Sequence, residues 1–113
     1  MSGKGKLLKI YIGESDRYHG ESLYHAVIKK IKAEGLAGAT VLRGIEGFGA
    51  DKCIHTTRIE VLAINLPITI EVVDYEEKID ALTQKLKDMI TSGVMITVQD
   101  IEIIRYSKTV SES

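Results

Sequence analysis

From Leu7 to Ile12 apolar and polar residues alternate: Leu8, Ile10 and Ile12 fall on one face, Lys9 and Tyr11 on the other. A period of two residues predicts a strand with one buried face. The polar run Gly13 to Gly20 ends it, and the period then lengthens. Leu23, Val27 and Ile31, with Tyr24 and Ile28 beside them, share a helical face. Gly35 stands where a C-terminal cap belongs, so a helix is predicted from about Ser22 to Glu34. Ala39 to Ile45 is rich in β-branched residues and predicts a second strand, with Gly44 marking a bulge or a close backbone approach.

From Glu46 to about Asn65 no period holds, except that Ile59 to Ile64 would suit a short strand or a helical turn. A connection of that length in a small domain is usually functional or mobile. Pro67 then opens a third strand through Ile68, Ile70 and Val72. Asp74, three residues before Glu77, has the spacing of a capping box. Ile79, Leu82, Leu86, Met89 and Ile90 form a helical stripe behind it that Gly93 closes. Val94 to Tyr106 predicts the last strand, with a kink at Gln99–Asp100, and Met89 and Met95 are expected to fill the core. Strand–helix–strand, twice in tandem, predicts an α+β ferredoxin-like βαβ-βαβ sandwich: an antiparallel sheet with two helices on one face. The other sheet face would then carry many apolar residues for a monomer, which marks an interface.

A chain of 113 residues suits one domain. Residues 1–5 read as a flexible N-terminus, 6–106 as the domain with its long loop at about 47–65, and 107–113 as a frayed tail. One core of this size leaves little depth for an internal pocket, a limit that an oligomer with ligand clefts between subunits would relieve. A formal net charge of −1 gives no field for nucleic acid. The single cysteine, Cys53, points to a reducing compartment. No apolar run reaches the roughly 18 residues of a membrane span, and no secretory signal follows the N-terminal lysines. A cytoplasmic protein without direct membrane insertion is expected.

Candidate chemistry is sparse. Cys53 and His55 could ligate a metal or form a redox site, although two ligands fall short of a closed tetrahedral zinc site unless other subunits contribute. A phosphate contact by His55 or Arg58 is the better-motivated alternative. His19 and His25 flank a helix start without i, i+4 spacing. Tyr11, Tyr18 and Tyr24 could stack on a base. Arg43 either faces solvent at the sheet or pairs with an acid such as Glu46 or Glu71 at a subunit interface, the second being favoured. No Walker loop, no ordered catalytic triad, no metalloprotease helix motif and no dinucleotide fingerprint is present, so no catalytic residues and no cofactor are assigned. A small enzyme would need a cleft with convergent acid and base groups, which the sequence does not announce.

Three segments in order carry a resemblance: Gly38-Ala-Thr-Val-Leu-Arg-Gly-Ile-Glu-Gly-Phe-Gly49, Ile54-His55-Thr56, and Leu66-Pro-Ile-Thr-Ile-Glu-Val-Val-Asp74. Over roughly Lys6 to Tyr106 the chain resembles the PII-like proteins grouped as domain-of-unknown-function family 190, and more distantly the PII nitrogen-regulatory proteins. The resemblance implies a homotrimeric signalling module. A small effector, often an adenine nucleotide, would sit at inter-subunit clefts, and a loop would engage a protein target such as a membrane transporter. Gly47, Phe48 and Gly49 would form the base of that loop. PII proteins grip ATP phosphates with a glycine- and lysine-rich turn after the second helix. The stretch Thr91 to Thr97 has no lysine or arginine here, which favours a less charged nucleotide such as AMP. Gly44 also stands as an extra residue relative to the PII strand.

Overall fold

The computed structural model describes residues 2–49, 52–56, 65–90 and 92–107. Strand β1 (Gly3–Gly13) is central and pairs antiparallel with β7 (Pro67–Asp74) on one side and β8 (Met95–Ile103) on the other. Strand β4 (Thr40–Arg43) adds to the outer edge of β7, giving the order β4-β7-β1-β8. Helices α1 (Leu23–Ala33) and α2 (Glu76–Met89) cover one face. Between β1 and α1 lies the hairpin β2 (Arg17–Tyr18) and β3 (Glu21–Ser22), and in the first part of the long loop the pair β5 (Glu46–Gly47) and β6 (His55–Thr56). This is the predicted α+β ferredoxin-like sandwich.

The core follows from the two periods. Leu8, Ile10 and Ile12 of β1 meet Ile68, Ile70 and Val72 of β7, and the stripes Leu23, Val27, Ile31 and Ile79, Leu82, Leu86 close over them. Gly35, at φ +77°, ends α1 in the left-handed region, and Leu36 N–H reaches back to Ile31 O at 3.5 Å. Met89 packs against this core as expected.

Four expectations change. β1 begins at Gly3, earlier than the alternation suggests and within the stretch expected to be a flexible lead-in. Gly3, Lys4 and Gly5 have no apolar period of their own but pair with Ile103, Glu102 and Ile101. β8 runs without the expected kink, its register with β1 unbroken through Gln99 and Asp100, because Lys6 lies opposite Asp100 and binds its carboxylate. Met95 is 64% exposed, since β8 is an edge strand and this residue faces away from the helices. Asp74 does not build a capping box. It ends β7 as a buried carboxylate that accepts the N–H of Tyr75 at 2.7 Å and of Ala37 at 2.9 Å, tying the segment after α1 to the start of α2. Within the chain Arg43 pairs with Glu14 at 2.8 Å. Its register partner is Ile68, so it shares a face with the even positions of β7, whereas Glu71 lies on the other face and pairs with Lys9 at 4.0 Å.

Candidate functional site

The site forms where the sheet runs out of side chains. On the face away from the helices, Gly13 pairs with Pro67 where β1 ends and β7 begins, and Gly44, just past β4, is hydrogen-bonded to Pro67. The Pro67 ring fills part of the gap. A Cβ on Gly44 would lie 2.7 Å from Pro67 Cγ, and one on Gly47 would lie 3.0 Å from it. Gly44 is therefore a place of close approach, as its interruption of the strand pattern suggests, and its N–H still donates to Pro67 O at 2.7 Å. The space left beside these glycines is a cavity of about 240 Å³ lined by Tyr11, Ile12, Gly13, Asp16, Gly47, Phe48, Gly49, Asn65, Pro67, Ile68 and Gly93.

One end of this cavity is polar. The turn after β1 is locked by Gly13 N–H on Asp16 Oδ2 at 2.9 Å and Asp16 N–H on Gly13 O at 3.1 Å. The segment before β7 is stitched to it by Ser15 N–H on Asn65 Oδ1 at 2.8 Å and Glu14 N–H on Leu66 O at 2.8 Å. A Cβ on Gly13 would lie 2.9 Å from Asn65 Oδ1, 3.2 Å from its Nδ2 and 3.3 Å from Asp16 Oδ1. A carboxylate and a carboxamide thus converge over Gly13.

At the other end stands a second chamber of about 560 Å³ that shares Tyr11, Phe48, Gly49 and Gly93 and adds Lys52, Val94 and Met95. Lys52 has φ +59°, a left-handed backbone uncommon for a non-glycine residue, and its N–H donates to Gly49 O at 2.9 Å. That tight turn brings the lysine back towards Phe48 and Gly49.

Gly47, Phe48 and Gly49 therefore lie together at the cavity, Phe48 with its ring largely exposed. The backbone of His55 pairs with Gly47, which brings the two strands of the loop base together; the His55 side chain and the whole of Arg58 lie outside the described residues, as does the segment Ile59–Ile64. Of the three tyrosines, Tyr11 lines the cavity. Tyr18 and Tyr24 pack against the core, Tyr18 also meeting His19 edge to face. Among the described residues no group of three or more His, Cys, Asp or Glu side chains is placed to hold a metal ion, and no helix is long and apolar enough to cross a membrane. Cys53 is exposed and is not in a disulfide. Sequence reasoning missed Asp16, Asn65 and Lys52. Only the fold brings Asp16 and Asn65, 49 positions apart in number, to one glycine, and only the backbone turn at Lys52 returns it to the cleft.

Residues 5–103 match the model of DUF190, a family described as uncharacterised ACR. A UPF0166 protein of Methanocaldococcus jannaschii is 39% identical over 102 residues, 90% of this chain and 94% of that one. Among solved structures, CPII of Thiomonas intermedia K12, a nitrogen regulatory PII-like protein bound to ADP, AMP and bicarbonate, superposes with a TM-score of 0.64 at 16% identity, covering 95% of this chain and all of that one (100%). The GlnK–ATP complex of Bacillus subtilis gives a TM-score of 0.55 at 18% identity, covering 89% and 84%. At these identities the likeness to the solved structures is one of fold.

Proposed function

Because the chain belongs to the DUF190 family and has the fold of PII-like signalling proteins, we propose that it is a regulatory binding module, not an enzyme, that takes an adenine nucleotide of low charge, AMP best, in the cleft at Gly47, Phe48 and Gly49. The observation that carries this reading is the cavity itself. Glycines on both sides of Pro67 leave backbone exposed to a ligand, Tyr11 and Phe48 supply aromatic surface, and Lys52 is the one cationic side chain among the described lining residues. A triphosphate needs more cations than that. CPII, of the same fold, is known with ADP and AMP bound.

The chain acts in this reading as a homotrimer. The open sheet face carries Leu42, Tyr11, Val73 and Met95 to solvent, and packing it against other copies would remove that apolar surface from water. Tyr11 and Met95 belong to both the open face and the cleft, so the cleft would lie at a subunit boundary, with His55 and Arg58 as further phosphate contacts. The effector would shift the loop that opens at Gly49 towards one state by binding that state better, and so change its contact with a protein target such as a membrane transporter.

Calorimetric titration with AMP, ADP, ATP and cyclic nucleotides tests the ligand. Micromolar or tighter binding of AMP, with ATP weaker, is expected. Absence of heat and of a thermal shift with every nucleotide would remove the reading.

A further inference from the structure

Resting on the proposed nucleotide site, we infer that the cleft distinguishes adenine from a 6-oxo purine through Asp16 and Asn65, and takes a single phosphate on Lys52. The two chambers share the walls Tyr11, Phe48, Gly49 and Gly93. Their ends have opposite chemistry. At one, Asp16 spends Oδ2 on Gly13 N–H and Asn65 spends Oδ1 on Ser15 N–H, so Asp16 Oδ1 and Asn65 Nδ2 have no hydrogen-bond partner among the described residues. Both converge over Gly13, where any side chain would close the space.

An acceptor beside a donor complements an edge that offers a donor beside an acceptor. Adenine presents that edge, its exocyclic N6–H₂ beside a ring nitrogen. Hypoxanthine and guanine put a carbonyl at the same position. With the base held in adenine's orientation by the phosphate at the other end, they would set an oxygen against the Asp16 carboxylate and leave it unpaired, which is the arrangement that gives large discrimination. A carboxylate there also repels phosphate, so the anionic end of the ligand must lie at the opposite chamber. Lys52 is the cation there. Its side chain forms no ion pair among the described residues, and its left-handed turn is held by the Gly49 hydrogen bond.

Two variants separate these roles with little risk to the fold. Asp16→Asn keeps an oxygen for Gly13 N–H and supplies an N–H₂ where the free carboxylate oxygen stood. Lys52→Gly removes the ammonium at a backbone angle that glycine adopts freely. Titrations of the full chain with AMP, inosine monophosphate and adenosine are compared. The parent chain is expected to bind AMP at least tenfold more tightly than inosine monophosphate, and Asp16→Asn to erase most of that preference. Lys52→Gly is expected to weaken AMP about tenfold and leave adenosine unchanged. Equal binding of AMP and inosine monophosphate by the parent overturns the inference, as does an intact preference in Asp16→Asn or an equal loss for adenosine and AMP in Lys52→Gly. In each of those cases the nucleotide site itself stands. A parent chain that binds none of the three removes both.

Discussion

The two faces of the sheet are built from the same strands and meet opposite fates. On one face Leu8, Ile10 and Ile12 of β1 and Ile68, Ile70 and Val72 of β7 are almost wholly buried under α1 and α2. One residue along each strand, the other face carries Leu7, Tyr11, Val73, Leu42 and Met95 around a polar row: Thr40, Glu71, Lys9 and Thr97, one from each strand in register. Lys9 and Glu71 pair across it at 4.0 Å. The covered face has no charge at its centre because an ion there would lose its hydration without full compensation. The open face keeps a charge pair at its centre and apolar residues around it, a composition suited to a surface shared with other copies of the chain. The difference teaches that burial within the chain accounts for one face only.

The largest effect expected from breaking this contrast is on the covered face. Ile10→Ala removes a side chain with no exposure, between both helical stripes, and should cost about 2–5 kcal/mol in urea unfolding. A cost below about 1 kcal/mol would mean that the core is not tightly packed there. Leu42→Glu tests the open face. It is 47% exposed within the chain, so the isolated subunit should lose no more than about 0.5 kcal/mol, with its circular dichroism unchanged. Its sedimentation should fall from trimer to monomer, because three carboxylates would be brought into the proposed interface. A trimer that survives Leu42→Glu would place that contact elsewhere.

The smallest effect lies at the exposed end of the covered face. The hydrogen bond from Lys6 raises its own pKa and lowers that of Asp100, with the opposite charges of the pair adding to both shifts. Asp100, depressed in the folded chain, adds stability that is present above the ordinary carboxylate range and lost as the pH falls through its lowered value. Lys6, raised, adds stability that is full below the ordinary lysine value and lost as the pH climbs through the raised one. The pair therefore contributes across neutral pH and fades at both extremes. Being open to solvent, it should give a slight acid-side slope in urea midpoints that Asp100→Asn removes. An unchanged slope in that variant would assign the effect to other carboxylates.

How far each element could be read follows from how local its signal is. β1, α1, β7 and α2 announce themselves because alternation and the helical stripe are properties of neighbouring residues, as Ile68, Ile70 and Val72 show. Gly35 and Gly44 were legible as special positions for the same reason. Met95 was not. Its run of apolar neighbours looks like core, and only the strand order makes β8 an edge. Arg43 takes Glu14 as its partner within the chain because its register with Ile68 sets it on the face opposite Glu71, and no local pattern reveals that. Asp74 has capping spacing, yet the strand carries it past the helix start to the N–H of Ala37.

By itself the sequence determined the periods, and with them the two helical stripes, the buried side of each central strand and the glycine-flanked start of the loop at Gly47, Phe48 and Gly49. Which residues share the cleft was decided by tertiary structure alone. Gly13, Gly44 and Pro67 come together only when the strands pair. Asp16 and Asn65 meet only because the turn after β1 is hydrogen-bonded to the segment before β7, and Lys52 returns only through a left-handed backbone turn. Local patterning fixes what each residue prefers. A site is an agreement among distant residues, and hydrogen bonding between strands is what brings them to it.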